Sequence, residues 1–306
     1  MSKVAVIGLS GESIFMKVTH LPNPSVTVHA KEVYVEPGGK GYNQAVALAK
    51  MGIEVSFLTK VGKDASGKYC RTYMENIGIH CVAVEDEKAK TALATILTDD
   101  QGENEVIVYP GASKSLTVDD VRKFQTEIRK ADVLVLQYEI PKVALQEAIR
   151  LAKQSHTYII LNPAPAIYDD EALLQSVDLI TPNLEEAKKL YHLGKNSSFD
   201  EVVRALKSQP HPNMIVTLGK KGALFIAENQ EIYFPGIVVD AVDTTGAGDT
   251  FTAGLAASIA RGKKMPEAIS YAMAAASLSV TKPHVLDSLP TNAEIEKFTK
   301  LYNLKK

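Results

Sequence analysis

Between residues 243 and 251 the chain reads Asp243-Thr244-Thr245-Gly246-Ala247-Gly248-Asp249-Thr250-Phe251. These residue types, in this order, could hold and transfer a phosphate. Small residues at 246–248 let the backbone approach an anion closely. The N–H groups that open a helix have no intrahelical partner and carry partial positive charge. Phe251 to Arg261 is rich in Ala, Leu and Ile and reads as a buried helix, and Ile237-Val238-Val239, β-branched and apolar, reads as a strand leading into the loop. Asp249 would then stand at the mouth of an anion hole lined by the amides of Gly246, Ala247 and Gly248. There it could serve as general base for an attacking hydroxyl. A plainer reading stands beside it, since an acid in a first helical turn suits the helix dipole whatever its chemistry.

A second glycine loop, Pro37-Gly38-Gly39-Lys40-Gly41-Tyr42-Asn43-Gln44, opens the apolar run 45–51, and Gly52 is placed to end that helix. Asn43 and Gln44 are polar groups at the mouth of an otherwise apolar helix. Neither loop carries the spaced Lys-Ser or Lys-Thr of a P-loop. Neither has the glycine spacing and later acid of a dinucleotide fingerprint, which disfavours a nicotinamide dehydrogenase.

These loops must be set on a scaffold, and the rest of the chain indicates which. Short apolar runs at 4–8, 53–59, 132–137, 157–161, 178–181 and 213–218 alternate with helix-period segments at 43–51, 64–77, 118–130, 142–154, 184–191 and 199–208. Thr117-Val118-Asp119-Asp120 has the form of a capping box with Asp in the last place. A last helix spans about 291 to 303. This predicts an α/β fold with a mostly parallel sheet covered on both faces, binding ligands at the carboxyl ends of its strands. Two stretches break the rhythm. Residues 14–36 and 91–109 alternate apolar and polar, the second around Asp99-Asp100-Gln101-Gly102, and read as hairpins of a small antiparallel sheet. The expected division is an α/β body at 1–12, 38–90 and 111–306 and a β lid at 13–37 and 91–110.

In 306 residues, hydrophobic content of 45% and charged content of 23% are those of a globular chain with a sizeable core. A net charge of −2 gives no reason to expect nucleic acid or an anionic membrane as partner. No apolar run reaches the ~18 residues of a membrane span. Val4-Ala5-Val6-Ile7, entered at once from the N-terminus, is too short for a signal segment. Cys70 and Cys81 fit a reducing, cytoplasmic setting.

Taken together, Gly38-Gly39-Lys40-Gly41 with Asn43, Asn162-Pro163-Ala164-Pro165-Ala166, Thr181-Pro182-Asn183 with Glu186, Thr217-Leu218-Gly219 with Gly222, and Asp243 to Phe251 resemble a ribokinase-like carbohydrate kinase of the PfkB family in order and spacing. The resemblance implies an ATP- and magnesium-dependent kinase acting on a hydroxymethyl group of a sugar or sugar-like molecule. It implies Asp249 as base and Gly246, Ala247 and Gly248 as anion hole. Gly39, Lys40, Gly41, Asn43 and Glu139 are implied on the acceptor side, with Gly11 and Ser13 where ribokinases carry Asn and Asp. Glu12 is a candidate substitute for the missing acid. The nucleotide would be lined by Asn183, Thr217, Gly219, Gly222 and Gly248. Glu186, with Asn183, would hold magnesium through water; an N-cap Asn with first-turn acids is the simpler account of that pair. A monovalent cation, potassium in the family, would lie among Asp243, Thr245, Ser279, Lys282, His284 and Ser288, bound at 243 and 245 largely through backbone oxygens, although the family often has a small residue where His284 stands. His284 itself reads as a surface or packing histidine rather than a catalytic one. The lid implies a homodimer. A nucleoside or phosphosugar acceptor, the latter drawing on Lys17, Lys31 or Lys90, and a non-catalytic sugar sensor are the alternatives.

Overall fold

The computed structural model describes residues 2–167, 170–208, 213–228 and 230–302. In chain order the first half runs β1 (Lys3–Ile7), β2 (Gly11–Lys17), β3 (Glu32–Gly38), α1 (Lys40–Lys50), β4 (Glu54–Gly62), α2 (Ala65–Asn76), β5 (His80–Asp86), β6 (Ala92–Thr98), β7 (Asn104–Tyr109), α3 (Val118–Lys123), α4 (Gln125–Lys130), β8 (Val133–Gln137) and α5 (Lys142–Gln154). The second half runs β9 (Tyr158–Asn162), α6 (Glu171–Gln175), β10 (Leu179–Ile180), α7 (Leu184–Leu190), α8 (Phe199–Ser208), β11 (Asn213–Thr217), β12 (Gly222–Ala227), β13 (Gln230–Pro235), α9 (Ala247–Ala260), α10 (Met265–Ser279) and α11 (Asn292–Leu301).

A nine-stranded sheet has the order β13-β12-β11-β10-β9-β8-β1-β4-β5. Its strands from β11 through β5 pair parallel, and β12 and β13 close one edge antiparallel. The alternation of β1 divides the core. Val4 and Val6 face a layer built with α1, α9 and α10, whereas Ala5 and Ile7 face one built with α5 and its neighbours. The chain winds outward from β1 to β4 and β5, then returns to β8 on the other side of β1. That reversal makes a topological switch point beyond the ends of β1 and β8, where such sheets bind ligands. Helix α9 is buried on all sides from Asp249 to Ser258, as its apolar composition requires.

The four-stranded second sheet, β3-β2-β6-β7, is inserted between β1 and α1 and between β5 and α3. Both expected hairpins form, and a parallel β2–β6 pairing joins them. Its exit strand β3 delivers the chain to the glycine loop at the switch point.

Several expected elements differ. Within the alternating stretch 14–36, Val26-Thr27-Val28-His29 forms no strand; Pro22 and Pro24 just before it remove backbone donors, and Val26 is exposed with no face to cover. The helix expected over 118–130 is broken at Phe124 into α3 and α4, while the Thr117–Asp120 capping box forms in both directions. Ile237-Val238-Val239 is irregular backbone along a cavity rather than a strand. The last helix ends at Leu301; position 303 lies outside the described residues.

Candidate active site

Two helix N-termini converge at the switch point. Gly246, with φ 76, is the left-handed N-cap of α9, and no side chain caps that end. Gly39 is the N-cap of α1, likewise without a side-chain cap. Gly41 lets α1 approach closely, because a Cβ there would come within 2.7 Å of Gly8 Cα and of Gln137 Oε1.

Asp249 sits in the first turn of α9 and is 6% exposed. Its Oδ2 accepts from Asn43 Nδ2 at 2.9 Å and its Oδ1 from Gln44 Nε2 at 2.9 Å. Burial pushes its pKa up, against the pull of the Lys40 ammonium and of the two amide hydrogen bonds. That direction strengthens it as a base. Gln44 is oriented in turn by neighbouring strand ends. Its Oε1 accepts from Gln137 Nε2 at 2.6 Å, and its Nε2 also reaches Asn162 Oδ1 at 3.3 Å. Asn162 then donates to the Thr181 carbonyl. The signal in the sequence for this network was a polar residue closing each apolar run, Gln137 after Val133–Leu136 and Asn162 after Ile159–Leu161.

Glu139 stands in the turn two residues past β8, not on the strand itself. Its Oε2 accepts from the Lys40 backbone N–H at 2.8 Å. Desolvation raises its pKa to about 7, against the Lys40 ammonium and that hydrogen bond, with Asp249 adding to the rise. Burial lowers the pKa of Lys40, but the carboxylates of Asp249, Glu139 and Glu186 outweigh it and leave the ammonium more firmly protonated. Lys40 therefore belongs to the same electrostatic cluster as all three acids.

The three proposed anion-hole amides are not equivalent. Ala247 N–H turns back to the Thr244 carbonyl at 3.3 Å. No acceptor for the Gly246 or Gly248 N–H is found among the described residues. A Cβ at Gly248 would meet no atom within 4 Å, so this residue faces open space.

On the acceptor side, Asn43 Oδ1 is a buried acceptor with no hydrogen-bond partner among the described residues. A side chain at Gly38 would run into Ser13 Oγ and come within 3.9 Å of Asn43 Oδ1. Ser13 and Asn43 therefore line the same small space. Gly11 is closed off by β6, since a Cβ on it would lie 2.5 Å from the Ala92 carbonyl oxygen. Glu12 cannot replace the missing acid. It alternates to the other face of β2 and accepts from Ser66 Oγ at 3.0 Å.

Thr217, Gly219 and Gly222 line a cavity of about 390 Å³ that runs to Ala247, Gly248 and Phe251. Its walls are mainly apolar, from Ile237 to Val239 and from Met273 to Val280. This suits a flat base with its phosphates directed at the α9 end. Asn183 lies instead in an adjoining cleft of about 660 Å³ that shares Thr217 and Gly219.

Asn183 and Glu186 form a reciprocal capping box, with Glu186 Oε2 accepting from Asn183 N–H at 2.9 Å and Asn183 Oδ1 accepting from Glu186 N–H at 2.8 Å. The plain capping account thus holds. One Glu186 oxygen remains outside the box, and burial raises that carboxyl's pKa. A single carboxylate beside phosphates fits a largely hydrated Mg²⁺. Among the described residues no three acidic, histidine or cysteine side chains are placed to hold a metal ion together.

The side chains expected around a monovalent cation are committed elsewhere. Lys282 pairs with Glu294, Ser279 and Ser288 donate to the Ala276 and Val285 carbonyls, and Asp243 Oδ1 accepts from Thr245 N–H. His284, at φ 64, stacks on Tyr34 with ring centroids 3.7 Å apart, the packing role expected of it. Backbone carbonyl oxygens are the donors left to such an ion.

Comparison with known proteins decides the family. The profile of pfkB family carbohydrate kinases matches residues 1–292. The chain belongs to that family. It is 32% identical over 300 residues to a ribokinase of Haemophilus influenzae, covering 96% of this chain and 97% of that one. It is 31% identical over 306 residues to a deoxyribokinase of Salmonella typhi, covering 98% and 99%. The structure of Arabidopsis thaliana ribokinase complexed with ribose and ATP superposes with a TM-score of 0.87 at 28% identity, covering 100% of both chains. This carbohydrate kinase is a phosphotransferase with an alcohol group as acceptor, of the ribokinase-like fold. No helix among the described residues is long and apolar enough to cross a membrane.

Proposed function

We propose that this kinase moves the γ-phosphoryl group of ATP to a hydroxymethyl group of a sugar held between the lid, residues 13–37 and 91–110, and the ends of β1 and β8. One observation carries the reading. The buried Asp249 carboxylate is gripped by Asn43 and Gln44 at the uncapped end of α9. It takes the proton of the attacking hydroxyl. The Gly246 and Gly248 amides and the Lys40 ammonium take up charge on the transferring group. Magnesium, held through water by Glu186, would neutralise phosphate charge. Potassium, if used, would rest on carbonyl oxygens between 279 and 288 and near 243–245.

The orphaned Asn43 Oδ1 calls for a donor, which a sugar hydroxyl supplies. Ser13 offers one hydroxyl at the lid, and Gly11 offers no side chain. A site with so few partners there accepts fewer hydroxyls, because an unpaired buried hydroxyl is costly. This favours a less hydroxylated acceptor than ribose, such as a deoxy sugar. A phosphosugar finds less support, because Lys31 is tied to Asp100 across the lid at 2.6 Å. The exposed apolar residues Val33, Val35, Val106, Ile107 and Val108 on the lid suit pairing with a second copy. Use of ATP and the free Cys70 and Cys81 thiols support a cytoplasmic location.

The test is Asp249→Asn. ADP release with ribose and 2-deoxyribose as acceptors should fall by about a thousandfold, while a non-hydrolysable ATP analogue still raises the melting temperature. Near-normal turnover would refute the role.

A further inference from the structure

Strand β3 ends in the glycine loop that opens α1. Immediately before that loop, which begins at Pro37, stands Glu36, 3% exposed. Its Oε1 accepts from Val285 N–H at 2.9 Å and its Oε2 from Leu286 N–H at 3.0 Å. On the other flank of the loop, Lys50 in the last turn of α1 donates to the Leu286 and Leu289 carbonyl oxygens. Residues 285–289 are therefore strapped to both flanks of the acceptor-side loop.

The same segment backs the phosphate-side turn. Val285 packs on Gly246 so closely that a Cβ there would lie 2.7 Å from Val285 Cγ1. The chain entering that turn is fastened nearby, with the Val242 and Asp243 N–H groups donating to the Val280 carbonyl at 2.7 and 3.2 Å. Burying a carboxylate is costly unless its oxygens are satisfied. Glu36 meets that cost on two amides 249 and 250 residues away in sequence. The β2–β3 ladder runs from Gly11↔Gly38 to Lys17↔Glu32 in backbone pairs and does not require it.

We infer that Glu36 is a positioning residue for phosphoryl transfer: through Val285 it fixes Gly246, so that the acceptor-side loop and the anion hole form as one unit. This rests on the reading of 246–248 as the phosphate-holding turn. The chemistry follows from placement, since misplacing a reacting group by about 1 Å can cost a hundredfold in rate.

The experiment compares binding of Mg²⁺–ADP and Mg²⁺–β,γ-imido-ATP by calorimetry, which needs no acceptor. The ratio of the two affinities reports the grip on the third phosphate. In Glu36→Ala that ratio should fall about tenfold, with ADP affinity kept within about twofold, and Glu36→Gln should stay within about threefold of the parent. Val285→Ala, which leaves the strap's hydrogen bonds in place, should reproduce the fall and serves if Glu36→Ala does not fold. Folded variants at both positions with an unchanged ratio would overturn the inference. Gly248→Ala separates the two ideas. If it also leaves the ratio unchanged, the anion-hole reading has failed. If it alone lowers the ratio, only the role of Glu36 has failed.

Discussion

Helices α1 and α9 begin alike and are used differently. Each follows a glycine N-cap that brings no capping side chain. At α1 the leading amide, that of Lys40, is already taken by the Glu139 carboxylate. At α9 the Gly246 and Gly248 amides have no acceptor among the described residues. The same local device therefore holds an internal carboxylate in one place and leaves two amides open in the other, where we propose that an anion binds. Helices α2, α3, α6, α7 and α11 have Asp, Thr or Asn caps that satisfy their own ends. Helices α4, α5 and α10 also begin without a side-chain cap, so it is the glycine N-cap at the switch point, and not the missing cap alone, that sets α1 and α9 apart.

The contrast is most exposed to failure at Gly246. An alanine there must hold a left-handed φ and displace Val285. Gly246→Ala should lower kcat by about a hundredfold, read by ADP release, with the overall fold kept by circular dichroism. Unchanged turnover would mean that the open end of α9 has no special use.

A smaller effect is expected at the filled end. The Glu139 carboxyl has a folded pKa near 7, above the usual carboxylate value of 4.5. Its raised pKa makes its stabilising contribution complete below about pH 4.5, and that contribution is lost as pH rises through 7. Glu139→Gln should therefore gain melting temperature relative to the parent between pH 5 and pH 8. A difference that does not change with pH would show that this carboxyl is not held in the protonated direction.

The smallest effect belongs to a capped end remote from the site. Thr291→Ala removes the Thr291–Glu294 box at the start of α11. It should cost about 1 kcal/mol of stability in a denaturant titration and leave turnover unchanged. A loss of activity there would blur the division between open and closed helix ends.

Much of this arrangement was legible in the chain. Asp249 and both glycine loops stood out because small and polar residues interrupt apolar runs, and α5 was bounded to the residue by its periodicity. What sequence left hidden is non-local. Nothing near Glu36 announces that its partners lie at 285 and 286, and the Gln137–Gln44–Asp249 connection spans strands and helices far apart in sequence. Nor does anything near Lys40 in sequence show that its N–H is met by Glu139, 99 residues away. The β-branched run 237–239 misled because its residues line a cavity rather than pair with a neighbouring strand.

Ser13 and Gly11 sit on β2, away from α9. On the function proposed above, side chains on β2 could change which sugar is accepted without touching Asp249, whereas Asn43, which also grips Asp249, could not. A lineage could exchange a few side chains along β2 and acquire a new nutrient while its α9 apparatus passes down unaltered.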